Sequence, residues 1–335
     1  MTIFRTLAAL ALAVGLLAGP AAEAQQQVNP TASAVQEEQL LNALSADGTI
    51  AGRISIPNQD AAGLIKPGGQ DWRATHGGLL FWLSAGLSAG MIVLLAVFYM
   101  VRGKIRIESG WSGVKILRFN TVERFAHWLS ASCFIVLALT GLNLVVGRFV
   151  LLPLVGPDTF AWLTQLGKLA HNYLAWPFMV GVVLMFLIWV KDNIPGKHDA
   201  AWLAAGGGLI GSSHPPAPRF NAGQKIIFWS VVIGGVVLSV TGVLLLFPEL
   251  AGGYAEWQQA QVIHGIVAAV LAAIMIAHIY IGSIGMEGAF DAMGSGEVDL
   301  SWAREHHSLW VEEMRRKGRA PAQAKGRRPA ATPAE

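Results

Sequence analysis

The sequence predicts an all-α membrane protein, a four-helix transmembrane core with one additional N-terminal transmembrane helix. Three observations predict it. Of the 335 residues, 53% are hydrophobic and only 13% charged, with a mean hydropathy of +0.49, far more apolar than an ordinary soluble domain. Five apolar runs, at about 78–101, 125–147, 170–190, 225–247 and 262–284, each approach the ~20 residues a helix needs to cross a ~30 Å hydrocarbon core. The lysines and arginines gather in alternate connections, as the positive-inside rule requires of a chain threaded through a bilayer.

The elements follow in order. Residues 1–24 carry Arg5, an apolar stretch from Leu7 to Leu17 and the small-residue ending Ala22-Glu23-Ala24, the pattern of a secretory signal peptide. Residues 25–77 are polar and rich in Gln, Ala, Gly and Pro, which predicts an extracytoplasmic extension with little core. The additional transmembrane helix follows at 78–101. The connection 102–124 holds Arg102, Lys104, Arg106, Lys115, Arg118 and Arg124, and the one after the third span holds Lys191, Lys197, Arg219 and Lys225. Both are expected in the cytoplasm, together with a basic tail at 285–335 that is disordered from Arg315 onward. The expectation is therefore a multi-pass protein of a bacterial inner membrane, with exported N-terminus and cytoplasmic C-terminus.

Composition excludes several classes. One cysteine, Cys133, cannot form a disulfide framework or ligate a zinc or iron–sulfur centre alone, so any iron–sulfur chemistry belongs to a partner. The basic residues flank apolar spans, which assigns them to membrane topology and predicts no nucleic-acid partner.

Ionisable side chains inside a membrane are costly, so those present are functional candidates. Four of the nine histidines, His127, His171, His264 and His278, lie within or at the ends of the four spans from 125 to 284. Topology places His127 and His278 on the cytoplasmic side, and His171 and His264 on the outer side. His264 and His278 are fourteen residues apart, close to four helical turns and about 21 Å, so they share one face at two depths. One helix can then line two stacked sites, with His127 completing the inner and His171 the outer. Two imidazoles from different helices suit the two axial positions of a haem iron, which leaves no open position and restricts the group to electron transfer. A tetrahedral zinc site lacks carboxylate or thiolate neighbours. A proton relay, the stronger rival, lacks membrane-buried Asp or Glu. His198, His214, His306 and His307 are expected to be solvated or at the surface, and His76 has no depth-matched partner. Thr140-Gly141 and Thr241-Gly242 read as notches for close approach, and Trp128, Trp176, Trp189 and Trp229 as interface anchors.

The segment Arg219-Phe220-Asn221-Ala222-Gly223-Gln224-Lys225 enters a helix at the cytoplasmic surface. Its amides and free helix-start N–H groups can reach a quinone carbonyl, although Asn in this place is more often a cap. Further short motifs surround it: Arg124-Phe125-Ala126-His127-Trp128, Leu139-Thr140-Gly141, Asn193-Ile194-Pro195, Ile263-His264-Gly265, Ala277-His278-Ile279-Tyr280 and Trp302-Ala303-Arg304-Glu305-His306-His307. In order and spacing, over about residues 118 to 312, they resemble the cytochrome b556 (gamma) subunit of membrane-bound formate dehydrogenase.

The resemblance implies a dihaem cytochrome b domain at 125–284, with His127, His171, His264 and His278 as axial ligands of two haem b irons. It places Asn221, Gly223 and Gln224 beside a quinone, either menaquinone or ubiquinone. The implied partners are an iron–sulfur beta subunit and a molybdenum- or tungsten-containing alpha subunit of formate dehydrogenase. The chain would be their electron-transfer and quinone-reducing subunit, set among membrane lipid. Formate oxidation lies outside it, and no catalytic residue is assigned to it. The alternatives are the cytochrome b subunit of a nickel–iron hydrogenase or thiosulfate reductase, a haem-free membrane anchor, and a transporter, which the absence of broken helices disfavours.

Overall fold

The computed structural model describes residues 69–208 and 214–320. The expected signal peptide, most of the expected extension and the end of the tail lie outside the described residues. Among the described residues five helices are long and apolar enough to cross a membrane. They are α1 (Phe81–Arg102), α2 (Thr121–Val150), α3 (Pro157–Trp189), α5 (Ala222–Leu246) and α6 (Tyr254–Tyr280). A short helix, α4 (Asp199–Ala204), lies between α3 and α5. Helical structure precedes α1 from Gly69 through a π turn at Thr75–Leu80, so the first span begins before residue 78.

The all-α membrane architecture expected from the sequence is present, with longer helices than the hydropathy pattern suggested. α3 starts at Pro157, thirteen residues before the expected 170, and its 33 residues rise about 50 Å, well beyond a ~30 Å core. Its amphipathic first turns were invisible to a pattern that recognises only unbroken apolar sequence. α2 packs along α3, α3 on α5, α5 on α6, and α1 rests mainly on α6. Small residues permit the close approaches. A Cβ at Gly181 of α3 would lie 3.2 Å from the Ser130 Cα of α2, and one at Gly235 of α5 would lie 3.0 Å from Val182 Cγ2.

Among the described residues the largest buried cluster caps the end of the bundle where residues 103–120, 191–208, 214–221 and 286–320 meet, here the basic end. Residues 286–320, expected as part of a basic tail, are folded. β1 (Lys115–Leu117) pairs antiparallel with β2 (Glu297–Asp299), and α7 (Leu300–His306) and α8 (Ser308–Arg316) follow. Carboxylates from this segment satisfy the backbone of the connection after α1. Glu287 accepts from Ile107 N, Asp299 from Ser112 N and Gly113 N, and Glu305 from Glu108 N and Ser109 N. Gly296, at φ +92°, turns its carbonyl to Arg118 N and Phe119 N at 2.8 and 3.1 Å; a Cβ there would strike Phe119 O.

Arg118 stands at the centre of this cap, 3% exposed. Its guanidinium lies 5.2–5.3 Å from the ring centres of Phe119, Trp302 and Trp310. Its Nη2 donates to Arg219 O at 2.7 Å and reaches His307 Nε2 at 3.0 Å. Arg219 returns a bond to Arg118 O at 2.8 Å and pairs with the buried Glu123 at 2.6 Å. Glu123 also accepts from Trp189 Nε1 and closes the capping box of α2 with Asn120.

Three expectations are corrected here. His307 is fully buried rather than solvated, its Nδ1 donating to Pro218 O so that Nε2 is left to accept from Arg118. Trp189 and Trp229 bind Glu123 and Asn193 O through their indole N–H groups inside the cap rather than anchoring at a lipid interface. Helix α8 runs through Arg316, so disorder does not begin at Arg315.

Two predictions follow from these contacts. Gly181→Leu should cost roughly 1–3 kcal/mol by overpacking, read as a lower melting temperature in detergent. Gly86→Leu, whose Cβ meets nothing within 4 Å, should melt like the wild type. Burial and then the neighbouring Arg118 charge hold His307 well below its ordinary 6.5, while burial, followed by His214, lowers His306 to about 4. The unfolded cap therefore takes up these protons at higher pH than the folded one, so stability is full above about 6.5 and drains as pH falls toward 4. Hydrogen exchange at the Val298 and Leu300 amides, corrected for intrinsic rate, should accelerate across that window, and His307→Gln should weaken the dependence. An unchanged profile would count against the buried neutral imidazole.

Candidate functional site

The four intramembrane histidines meet in two pairs. His127 of α2 and His278 of α6 have ring centres 6.2 Å apart, and His171 of α3 and His264 of α6 have centres 6.3 Å apart. The first pair lies toward the basic end and the second toward the opposite end, because α2 begins and α6 ends at the basic end. The rings are inclined to each other, by 61° in the first pair and 58° in the second. A metal–imidazole bond of about 2.0 Å, with roughly 1.1 Å from nitrogen to ring centre, puts two imidazoles on opposite sides of one metal ion about 6.3 Å apart, centre to centre. Both pairs have that spacing. Among the described residues no group of three or more His, Cys, Asp or Glu could hold a metal ion. A metal shared by either pair would take its other ligands from a non-protein frame such as a macrocycle.

The threonines behind the second pair fix its chemistry. Thr140 Oγ1 donates to Val136 O at 2.7 Å and lies 2.8 Å from His171 Nδ1. Thr241 Oγ1 donates to Val237 O at 2.7 Å and lies 2.9 Å from His264 Nδ1. A hydroxyl has one proton, and here it is directed at the preceding helical turn, so the oxygen accepts from Nδ1–H. Both imidazoles are thereby held as the tautomer with a bare Nε2, the form that ligates a metal. The glycine after each threonine faces the same ring, a Cβ at Gly141 or Gly242 lying 3.5 Å from the Cε1 of His171 or His264, an ordinary contact distance. Sequence reading singled out both Thr-Gly pairs for their glycines and missed the hydroxyls. The signal was available, since the same dipeptide occurs once opposite each histidine of this pair. The basic-end pair is different, for His127 Nδ1 is buried without a hydrogen-bond partner.

The Asn221–Lys225 segment begins α5 at the basic end, and the structure divides it between two faces. Asn221 Oδ1 accepts from Gln224 N at 3.0 Å and Gln224 Oε1 from Asn221 N at 3.1 Å, a reciprocal capping box. Gln224 Oε1 is also 3.5 Å from Arg118 Nη2, which joins this face to the buried cap. The box uses the carbonyl oxygens of both amides and leaves their NH₂ groups as the available donors. Gly223 is required by packing, because a Cβ there would lie 2.9 Å from Trp202 Cη2 of α4.

Ala222 and Lys225 face the other way, into an apolar cavity of about 640 Å³ between α5 and α6. Lys225 Nζ is bound by both Asp199 oxygens at 2.9 and 3.0 Å and by Ile194 O at 3.1 Å. Burial would raise the Asp199 carboxyl, but the Gly196 N–H and the Lys225 ammonium outweigh it and hold Asp199 below its ordinary 3.8. Sequence reading missed this ion pair, whose partners are separated by α4 and the loop that follows it.

The chain is similar to several known membrane cytochromes. Residues 118–296 match the family model of prokaryotic cytochrome b561. The cytochrome b556(Fdn) subunit of nitrate-inducible formate dehydrogenase from Escherichia coli K12 is 30% identical over 211 residues, 59% of this chain and 91% of that protein. The cytochrome b556(fdo) subunit of formate dehydrogenase from the same organism is 28% identical over 205 residues, 60% of this chain and 94% of its own length. The corresponding subunit of Haemophilus influenzae Rd is 28% identical over 224 residues, 63% of this chain and 87% of that protein. The matched region holds both histidine pairs, both threonines and the α5 helix start, and the chain belongs to the prokaryotic cytochrome b561 family of membrane cytochromes.

Proposed function

We propose that this chain is the dihaem cytochrome b subunit of a formate dehydrogenase, delivering electrons across a bacterial inner membrane to a quinone on the cytoplasmic side. The observation that carries the reading is the pair of imidazole pairs, 6.2 and 6.3 Å between ring centres, at two depths of one bundle. His127 and His278 would hold the inner haem b and His171 and His264 the outer. When bound, such haems supply one-electron transfer with no open coordination position for oxygen or substrate.

The protein's own residues set the terms of that transfer. Thr140 and Thr241 hold His171 and His264 in the ligating tautomer and, by accepting Nδ1–H, make those imidazoles the more basic donors. His127 lacks that help. A more basic ligand favours the oxidised metal, so the outer site has the lower potential and the gradient runs toward the basic end. The abundance of lysine and arginine there supports a cytoplasmic position. Menaquinone or ubiquinone would be reduced near Asn221, Gly223 and Gln224, with protons from the cytoplasm. An iron–sulfur beta subunit and a molybdenum- or tungsten-containing alpha subunit would be the partners, a reading supported by the names of the relatives and by this chain's single cysteine. Formate chemistry belongs to them.

The test is spectroscopic. Pyridine-haemochrome analysis of the purified chain should give about two haems b per chain, with low-spin signals in low-temperature EPR. His171→Ala and His278→Ala should each remove one of them or turn it high-spin. Redox titration should show two potentials, and Thr140→Val should raise the lower one by some tens of millivolts with haem content unchanged. A colourless protein would replace the electron-transfer reading with a haem-free anchor.

A further inference from the structure

We infer that Arg304 of α7 and Arg315 of α8 form a receptor for a terminal phosphate, free in solution or carried as the head of a lipid, at the basic end of the bundle. The site is separate from the histidine pairs, from the α5 start and from the cavity beside it, and it stands whether or not the chain carries haem.

The fold brings the two arginines together. Arg304 lies in the last turn of α7, and α8 begins directly after the turn at His307. Arg315 is one helical turn beyond Val311, which is only 2% exposed, so its stem leaves α8 on the face turned toward the cap. Side chains on a helix lean toward its N-terminus, which directs Arg315 back to the α7–α8 junction. Burial, and after it the Arg315 charge, accordingly holds the Arg304 guanidinium below its ordinary range.

Neither cation has a counter-ion. Arg304 Nε, Arg304 Nη2 and Arg315 Nε are shielded from solvent and have no hydrogen-bond partner. Among the described residues neither guanidinium forms an ion pair. The carboxylates beside them in sequence are spent: Glu305 accepts from Glu108 N, Ser109 N and Ser109 Oγ, and Glu313 pairs with Lys317. Other arginines of the same cap are engaged. Arg124 donates to the carbonyls of Met293, Gly294 and Ser295, and Arg219 pairs with Glu123 and Asp192.

The pattern of empty donors selects the ligand. Nε–H and Nη2–H of one guanidinium point the same way and form the edge that meets two oxygens of an oxyanion at once. Arg315 Nε–H adds a third donor. A halide offers one acceptor atom and a carboxylate a single charge, whereas a terminal phosphate brings three oxygens and nearly two charges to two cations. The other nitrogens of the two groups are not shielded in this way, so rotation of two long side chains admits the anion from the surface. Two like charges held partly out of water destabilise the empty cap, and a bound phosphate removes that cost.

The experiment uses the full chain. Its melting is followed in neutral detergent with inorganic phosphate against chloride at equal ionic strength, and in phosphatidylcholine nanodiscs with and without phosphatidate. Phosphate should raise the wild-type melting temperature by roughly 3–5 °C at saturation and slow hydrogen exchange in α7 and α8. Arg304→Gln and Arg315→Gln should each lose both effects, yet melt above the wild type in chloride because the repulsion is gone. Arg304→Lys, which keeps the charge without the fork, should need roughly tenfold more phosphate for the same shift. Arg316→Gln, at an exposed neighbour, should respond like the wild type. A shift confined to phosphatidate discs assigns the phosphate to lipid, and one in detergent to the free anion. A phosphate effect that both Gln variants retain, or that Arg316→Gln also loses, is general salt or net-charge stabilisation and overturns the site. So does a wild type that responds to neither phosphate nor phosphatidate, which leaves water as the partner of these nitrogens.

Discussion

A neutral imidazole in a hydrocarbon interior has one N–H and one lone pair to place, and the bilayer offers a partner for neither. The rest of the bundle is arranged around that constraint. A threonine hydroxyl accepts the N–H without bringing in a charge, and its own proton is absorbed by the helix it sits on. That solution needs the threonine-bearing helix to pass close to the histidine, and Gly141 and Gly242 lie beside the two rings at contact distance. The lone pair is then the remaining unspent valence. Two such lone pairs with ring centres 6.3 Å apart, with no third protein ligand among the described residues, would suit a metal whose remaining ligands come from a macrocycle.

The spans carry so little polar structure that the order of the bundle is set elsewhere. At the basic end, Arg118 links the connection after α1, the loop before α5 and the α7–α8 junction through Arg219 O, Gln224 and His307. A guanidinium this buried would be costly alone; three aromatic faces and the exchanged Arg118–Arg219 carbonyl bonds offset that cost without a direct carboxylate partner. Charge balance comes at one remove, through Glu123, which also caps α2 and lies four residues before His127. The same residues that place a helix start thus fix the height of a candidate ligand.

This division explains what was legible beforehand. Apolar runs revealed the five spans, and periodicity along α6 placed His264 and His278 on one face, because hydrophobic transfer and helix pitch are local properties of sequence. Pairing by depth needed only topology. The cap was illegible because its contacts join residues 100 to 200 positions apart and its buried groups, Arg118 and His307, are types that composition assigns to the surface. The Asn221 segment was half legible: its capping role was the ordinary expectation for Asn before a helix, whereas its second face depends on where α4 delivers Asp199.

A single helix now connects the pieces. α6 supplies one histidine to each pair and, between them, one wall of the cavity beside α5. Because these positions lie on one rigid rod, the spacing of the two pairs along the membrane normal is set by helix rise alone, about 21 Å over fourteen residues. The partners α2 and α3 can shift without altering it. Under the electron-transfer reading proposed above, the chain would gain from placing that distance in backbone hydrogen bonds, which the bilayer strengthens, and leaving the adjustable threonine-to-histidine contacts to its neighbours.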